Sequence, residues 1–170
     1  MSAIAPLLRI PLGVVVERRK ANSSWVDVIW RPVAVFAGLP DAPPWTKLAA
    51  EGETATFYAG AAELELYRSE TDNYLRNLAS GAPSVWVALQ ETGGEPPYEV
   101  ASVTADPAEG EGLTEPGQGV VEAVAMPERL RAAIAAFVAD HHVERVFEKR
   151  TRDRADPETL AARSRFRTSR

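Results

Sequence analysis

Residues 14–36 read VVVERRKANSSWVDVIWRPVAVF, two apolar arms joined across the polar run Lys20-Ala21-Asn22-Ser23-Ser24. In the second arm Val26, Val28, Trp30, Pro32, Ala34 and Phe36 recur at every second position. Trp25, Asp27, Ile29, Arg31, Val33 and Val35 fill the positions between. Successive side chains of a strand point to opposite faces, so a repeat of two over this length is a strand signal. The stretch is predicted to form a long β-hairpin whose even-numbered, all-apolar face lies on the core.

The rest of the chain is read against that hairpin. Leu8, Ile10, Leu12, Val14 and Val16 alternate with Arg9, Pro11, Gly13, Val15 and Glu17, and Pro11 and Gly13 point to an edge strand or a bulge. Residues 38–44 form a loop, and 45–50 are expected to make one short helical turn. A weak strand over 54–58 is broken by Gly60, after which Ala62, Leu64 and Leu66 resume the apolar face. Ser69 or Thr71 is a fitting N-cap for a helix that Gly81 and Pro83 end. Val85, Val87 and Leu89 mark a strand, and Tyr98 to Thr104 another. Residues 106–119, rich in Gly, Glu and Pro, are expected to be an acidic loop. Val120, Val124 and Met126 form a last strand. Pro127 then opens a helix with Leu130, Ile134, Phe137, Val138 and His141 on one face, expected to run to Phe147. The order β-β-β-α-β-β-β-α implies an α+β fold. We expect a curled antiparallel sheet or half-barrel of about six strands with the C-terminal helix on one face. One domain over residues 1–150 is followed by a basic, disordered tail over 151–170.

At 170 residues the chain is long enough for one core without covalent staples, and it has no cysteine. Disulfides, thiolate catalysis and cysteine-held zinc or iron–sulfur clusters are thereby excluded for this chain. Arg9 and Pro11 interrupt the apolar N-terminus, and no apolar run reaches membrane-spanning length. The expectation is a cytoplasmic protein with neither export signal nor membrane span. Charge is uneven: residues 144–170 carry a net of +4 within a total of −5, leaving the first 143 at −9. Such a tail does separate work or meets an acidic surface.

Candidate chemistry is sparse. His141 and His142 are adjacent, so on a helix they point about 100° apart and cannot chelate one metal together. Asp106, Glu109, Glu111 and Glu115 lack the alternate oxygen ligands of a calcium loop. Glu70, Asp72, Tyr74 and Arg76 serve capping and helical pairing without strain. No phosphate-binding glycine loop, nucleophile elbow or dinucleotide fingerprint occurs. The tail from Glu144 interleaves acids with its bases, which suits a partner-docking segment better than a nucleic-acid arm. Two features remain. Arg18 and Arg19 close the first strand, where arginine forks could grip phosphate or carboxylate. Four tryptophans, Trp25, Trp30, Trp45 and Trp86, crowd a small domain. Trp30 fits the core face, whereas Trp25 and Trp86 near Arg31 could furnish a binding platform on the other.

The phrases VVVERR, IWRPVAVFAG, LELYRSETDNYLRNL, VTADPAEG, VEAVAMP and FVADHHVERVFEKRTRDR, in that order, resemble the family known as domain of unknown function 3305. The likeness runs from about Ile10 to Arg154. The resemblance implies a mainly proteobacterial protein encoded near molybdenum-dependent formate dehydrogenases and their accessory proteins. It carries no agreed catalytic residues. Some members are labelled molybdopterin-guanine dinucleotide biosynthesis protein A. Guanylyltransferases of that kind open with a glycine-rich loop on a doubly wound sheet. Here Ile10-Pro11-Leu12-Gly13-Val14-Val15-Val16 offers one glycine and no such loop, so we reject the label for this chain.

The leading expectation is a non-enzymatic accessory or small partner protein of a molybdenum-dependent formate dehydrogenase. It would bind the dehydrogenase or its maturation factors through Trp25, Arg31, Trp45, Trp86, Arg150 and Arg152, without cofactor, metal, nucleic acid or membrane. The alternative is a carrier or enzyme for the pterin nucleotide, with Arg18, Arg19 and Arg31 on its phosphates. A homo-oligomer burying its own tryptophan face is the third reading.

Overall fold

The structure is a computed structural model that describes residues 3–114 and 119–143. Strand β1 (Leu8–Lys20) is central in a four-stranded antiparallel sheet of order β2-β1-β4-β3. Its companions are β2 (Val28–Ala37), β3 (Thr46–Glu51) and β4 (Thr54–Leu66). A second antiparallel sheet has β5 (Ser84–Glu91) between β6 (Tyr98–Thr104) and β7 (Gly119–Ala125). Helices α1 (Thr71–Ala79), α2 (Pro107–Leu113) and α3 (Glu128–His141) complete the described residues. The antiparallel α+β expectation holds, as seven strands in two sheets with no closed barrel among the described residues.

Pro11 does not place β1 at an edge. Its carbonyl accepts from Gly38 N–H at 3.4 Å, so its missing N–H faces the end of β2, where no ladder partner is lost. No bulge falls at Pro11 or Gly13 either; the irregularities lie in the partner strands. Val33 bulges out of β2 opposite Val15 and Val16, and Ala59 bulges out of β4 opposite Val14 and Val15. An extra residue reverses the faces beyond it. Trp30 and Pro32 therefore share the core-side face with Val16, but farther on that face passes to Val35, which is buried, and not to Ala34 and Phe36. Phe36 lies on the back, its ring over Gly13 and 6.0 Å from Tyr58.

Five further expectations are corrected. Residues 46–51 form β3 in place of a helical turn, because ladder hydrogen bonds to β4 outweigh a single isolated turn. Gly60 does not break β4, which continues through it at φ +135°, a conformation glycine tolerates. The expected loop over 106–119 contains α2. Asp106 caps it by accepting from Ala108 N–H (2.9 Å) and Glu109 N–H (3.4 Å), with Pro107 at its first position. Helix α3 starts after Pro127, which serves as its N-cap, and ends at His141, short of Phe147. Helix α1 has Glu70 at its N-cap, and neither Ser69 nor Thr71 fills that position.

The core joins both sheets and two helices. Leu12, Val14, Val16, Leu64 and Leu66 face Val85 and Val87, all 0% exposed, with Ile134 and Leu130 of α3 closing one side. Each such side chain contributes roughly 1.5–3 kcal/mol by leaving water. Tyr74 of α1 meets Phe137 of α3 edge-on at 6.2 Å. Asn77 fastens α1 to the second sheet. Its Nδ2 donates to the Ser84 and Ala105 carbonyls (2.8 and 2.9 Å), and its Oδ1 accepts from Ser84 N–H at 3.0 Å. Among the described residues no helix is long and apolar enough to cross a membrane.

Candidate functional site

The β1–β2 hairpin is closed by Ala21 N–H donating to the Asp27 carbonyl at 3.1 Å, which sends residues 22–26 out as a tip. Trp25 stands there 93% exposed, its backbone N–H donating to Ser23 Oγ, with Val26, Val28 and Ile29 also exposed. An indole in water forgoes its burial energy, so this tip is the part of the fold most favoured by contact with another surface.

Behind the tip lies an aromatic cluster drawn from three strands and a loop. The hairpin register sets Arg18 opposite Trp30, and the β1–β4 register sets Val16 opposite Phe57. Trp30 and Phe57 lie 5.7 Å apart, and Trp45 meets Trp30 edge-on at 5.7 Å. The Arg18 guanidinium sits 5.6 Å from the Trp30 ring and 5.3 Å from Phe57, a cation–π arrangement on two rings. Trp45 adopts φ +68°, where a bulky side chain is strained by about 1–3 kcal/mol. Its N–H on the Tyr58 carbonyl and its ring contacts hold it there.

A cleft of about 490 Å³ opens at the same end, lined by Arg18, Arg19, Lys20, Ser23, Asp27 and Glu53. Lys20 Nζ pairs with Glu53 at 3.3 Å. The three arginines singled out in the sequence do not converge. Arg18 and Arg31 fall on opposite faces of the sheet, and Arg31 pairs with Glu17 at 3.3 Å beside Glu122 of β7. Trp86 lies far along the chain from Trp25, on the middle strand of the second sheet. It is half-buried under Gly110 of α2. Arg150 and Arg152 lie outside the described residues, as does Glu115.

Two other places hold polar chemistry. A cleft of about 470 Å³ is walled by Ile4, Leu7, Arg68, Asp72 and Val143. At that end of α3 the His142 Nδ1 lies 3.1 Å from Thr71 Oγ1 and 3.5 Å from Asp72. Between β4 and β6, Glu63, Glu65, Tyr67 and Glu109 line about 310 Å³. Tyr67 donates to Glu65 there, and this bond raises its pKa above the usual tyrosine value, with burial adding to it. Arg9 offsets the carboxylates at 3.6 and 3.7 Å from Glu63 and Glu65. Among the described residues no three His, Asp or Glu side chains gather at metal-binding spacing.

Sequence reasoning placed Trp30 on the core face and overlooked Phe57 and also Lys47, which β3 sets opposite Phe57. The Arg18–Trp30 pair was countable once the turn was known. Phe57 and Lys47 needed the register of β4 and β3, which no local pattern specifies.

The chain belongs to the family described as protein of unknown function (DUF3305), whose model matches residues 11–151. No curated protein and no solved structure matches it.

Proposed function

We propose that this member of the DUF3305 family is a non-enzymatic accessory protein that docks a partner through the exposed end of its β1–β2 hairpin. The observation that carries the reading is Trp25, 93% exposed and flanked by exposed Val26, Val28 and Ile29. Trp45 and its ring partners stand behind it as a preformed platform. Tryptophan anchors of this kind dominate interface energetics. The family resemblance points to a molybdenum-dependent formate dehydrogenase or its maturation factors as the partner, in the cytoplasm. Tagged protein at native expression levels should recover one of them, and Trp25→Ala should recover at least tenfold less. Recovery of neither by the wild-type chain overturns the reading.

A second reading rests on the cleft lined by Arg18, Arg19 and Lys20, whose size suits a nucleotide. It makes the chain a carrier or enzyme for the pterin nucleotide, with Arg31 taking no part. Titration calorimetry with GTP and the pterin nucleotide tests it, and flat isotherms for both dismiss it.

A further inference from the structure

The core-side face of the first sheet is longer than the core it builds. Leu12, Val14 and Val16 are 0% exposed, but the same face of β1 runs on to Arg18 and Lys20. Strand pairing places Val28 and Trp30 beside them on β2, Phe57 on β4, and Lys47 opposite Phe57 on β3. Exposure rises along this overhang, and Lys20, Val28 and Lys47 are all open to solvent.

The charged strand positions on the overhang have one sign, and the carboxylates of Asp27 and Glu53 stand at its turn ends, where they line the cleft beside Lys20. Every charged strand position on this face is a cation: Arg18, Lys20 and Lys47. Glu17 and Glu51 fall on the opposite face by register, where Glu17 is occupied with Arg31. Among the described residues Glu53, in the β3–β4 turn, pairs with Lys20 alone. Arg18 and Lys47 make no ion pair among the described residues. This basic island stands on a body whose first 143 residues carry −9.

Trp30 and Phe57 lie 5.6 and 5.3 Å from the Arg18 guanidinium and 5.7 Å from each other, so both rings flank it on one side, and Arg18 also lines the open cleft, where its N–H fork can meet an acceptor. A carboxylate meets that fork bidentately, and the rings remove the entropy cost of orienting it. Lys47 lies two strands away, about 10 Å across the sheet. An extended chain with carboxylates a few residues apart spans that gap, with its apolar side chains over the Trp30–Trp45 platform. A polynucleotide fits less well, because its affinity comes from many phosphate contacts and the surrounding acidic body repels them.

We infer that this overhanging face binds an extended acidic segment of the partner protein, with carboxylates seated on Arg18 and Lys47. The inference rests on the docking reading above and names the chemistry of the docked surface. The test is fluorescence anisotropy on the full chain with a labelled 12-residue peptide that alternates Glu with Leu. A Lys-for-Glu version of the peptide and a 12-nucleotide oligo-dT serve as comparisons. The acidic peptide should bind, weaken as salt is raised, and outbind both comparisons. Lys47→Glu, at an exposed position, should weaken it at least tenfold with thermal stability unchanged. Arg18→Gln should also weaken binding at least tenfold, and Arg129→Gln on α3 should not. An effect of Lys47→Glu assigns the binding to this face and not to the basic residues 144–170. Equal binding of the Lys peptide, preference for oligo-dT, or indifference to Lys47→Glu overturns the inference. Partner recovery by tagged Lys47→Glu separates the two readings. Undiminished recovery sinks acidic recognition and leaves docking intact, whereas an empty wild-type pull-down sinks docking itself.

Discussion

Trp86 and Gly110 are matched so closely that a single methyl group decides local stability. A Cβ on Gly110 would lie 2.3 Å from Trp86 Cγ, the root of the indole, which cannot swing clear without a new rotamer. Alanine would gain about 1 kcal/mol in helix propensity, while overpacking against the ring root at so close an approach falls in the upper part of the usual range, about 2–3 kcal/mol. Gly110→Ala should therefore lose about 1–2 kcal/mol, lowering Tm by roughly 3–6 °C in calorimetry. An unchanged or higher Tm would show that α2 does not press on Trp86. Tyr74 makes a prediction in pH. It is 2% exposed, and burial pushes its pKa up from 10.0 to about 12. Below pH 10 the phenol is neutral in both folded and unfolded chains, and its contribution is complete. Above pH 10 the unfolded chain releases the proton first, so stability falls as pH rises from 10 toward 12, by up to about 3 kcal/mol. Urea denaturation across that range should show the decline, and Tyr74→Phe should flatten it.

Helix α2 shows how an element can exist against its composition. Residues 107–113, PAEGEGL, contain two glycines and have no apolar period, and alone they would not hold a helix. Asp106 supplies what propensity lacks. One of its carboxylate oxygens caps two backbone N–H groups, and the other accepts from Asn73 of α1 at 3.2 Å. Asp106→Ala should cost about 1–2 kcal/mol and release α2 from the second sheet, red-shifting Trp86 emission. A Trp25→Phe background would remove the constant signal of the exposed indole. Unaltered emission would mean that the seat on Trp86, and not the cap, holds the helix. Strand β2 gives the converse case, in which local pattern is strong and still misleads. Its alternation is legible over ten residues, yet one bulge at Val33 reassigns every side chain beyond it.

At the scale of the molecule, stability is graded from the centre of each sheet outward. Strands β1, β4 and β5 are paired on both sides, whereas β3 is a short outer strand with almost every residue exposed. Amide exchange should be slowest in β1 over 12–16 and in β5, and fastest in β3 and residues 22–26. Protection of β3 equal to that of β1 would contradict this topology. The proposed docking end thus coincides with the part of the fold least committed to the core, where contact with a partner displaces least. Much of this was legible from residues alone: the β1–β2 hairpin, the antiparallel α+β class, and the core stripe Leu130, Ile134, Phe137 and Val138 of α3. Each follows from a periodicity of two or 3.6 that is written locally in the chain. Tertiary structure alone decided that β1 is central, that residues 46–51 pair as a strand, and that α2 forms. It also decided that Arg18 meets Phe57 while Arg31 turns away. These outcomes depend on register between segments tens of residues apart, and register is set by the sum of packing over the whole sheet, which no single stretch contains.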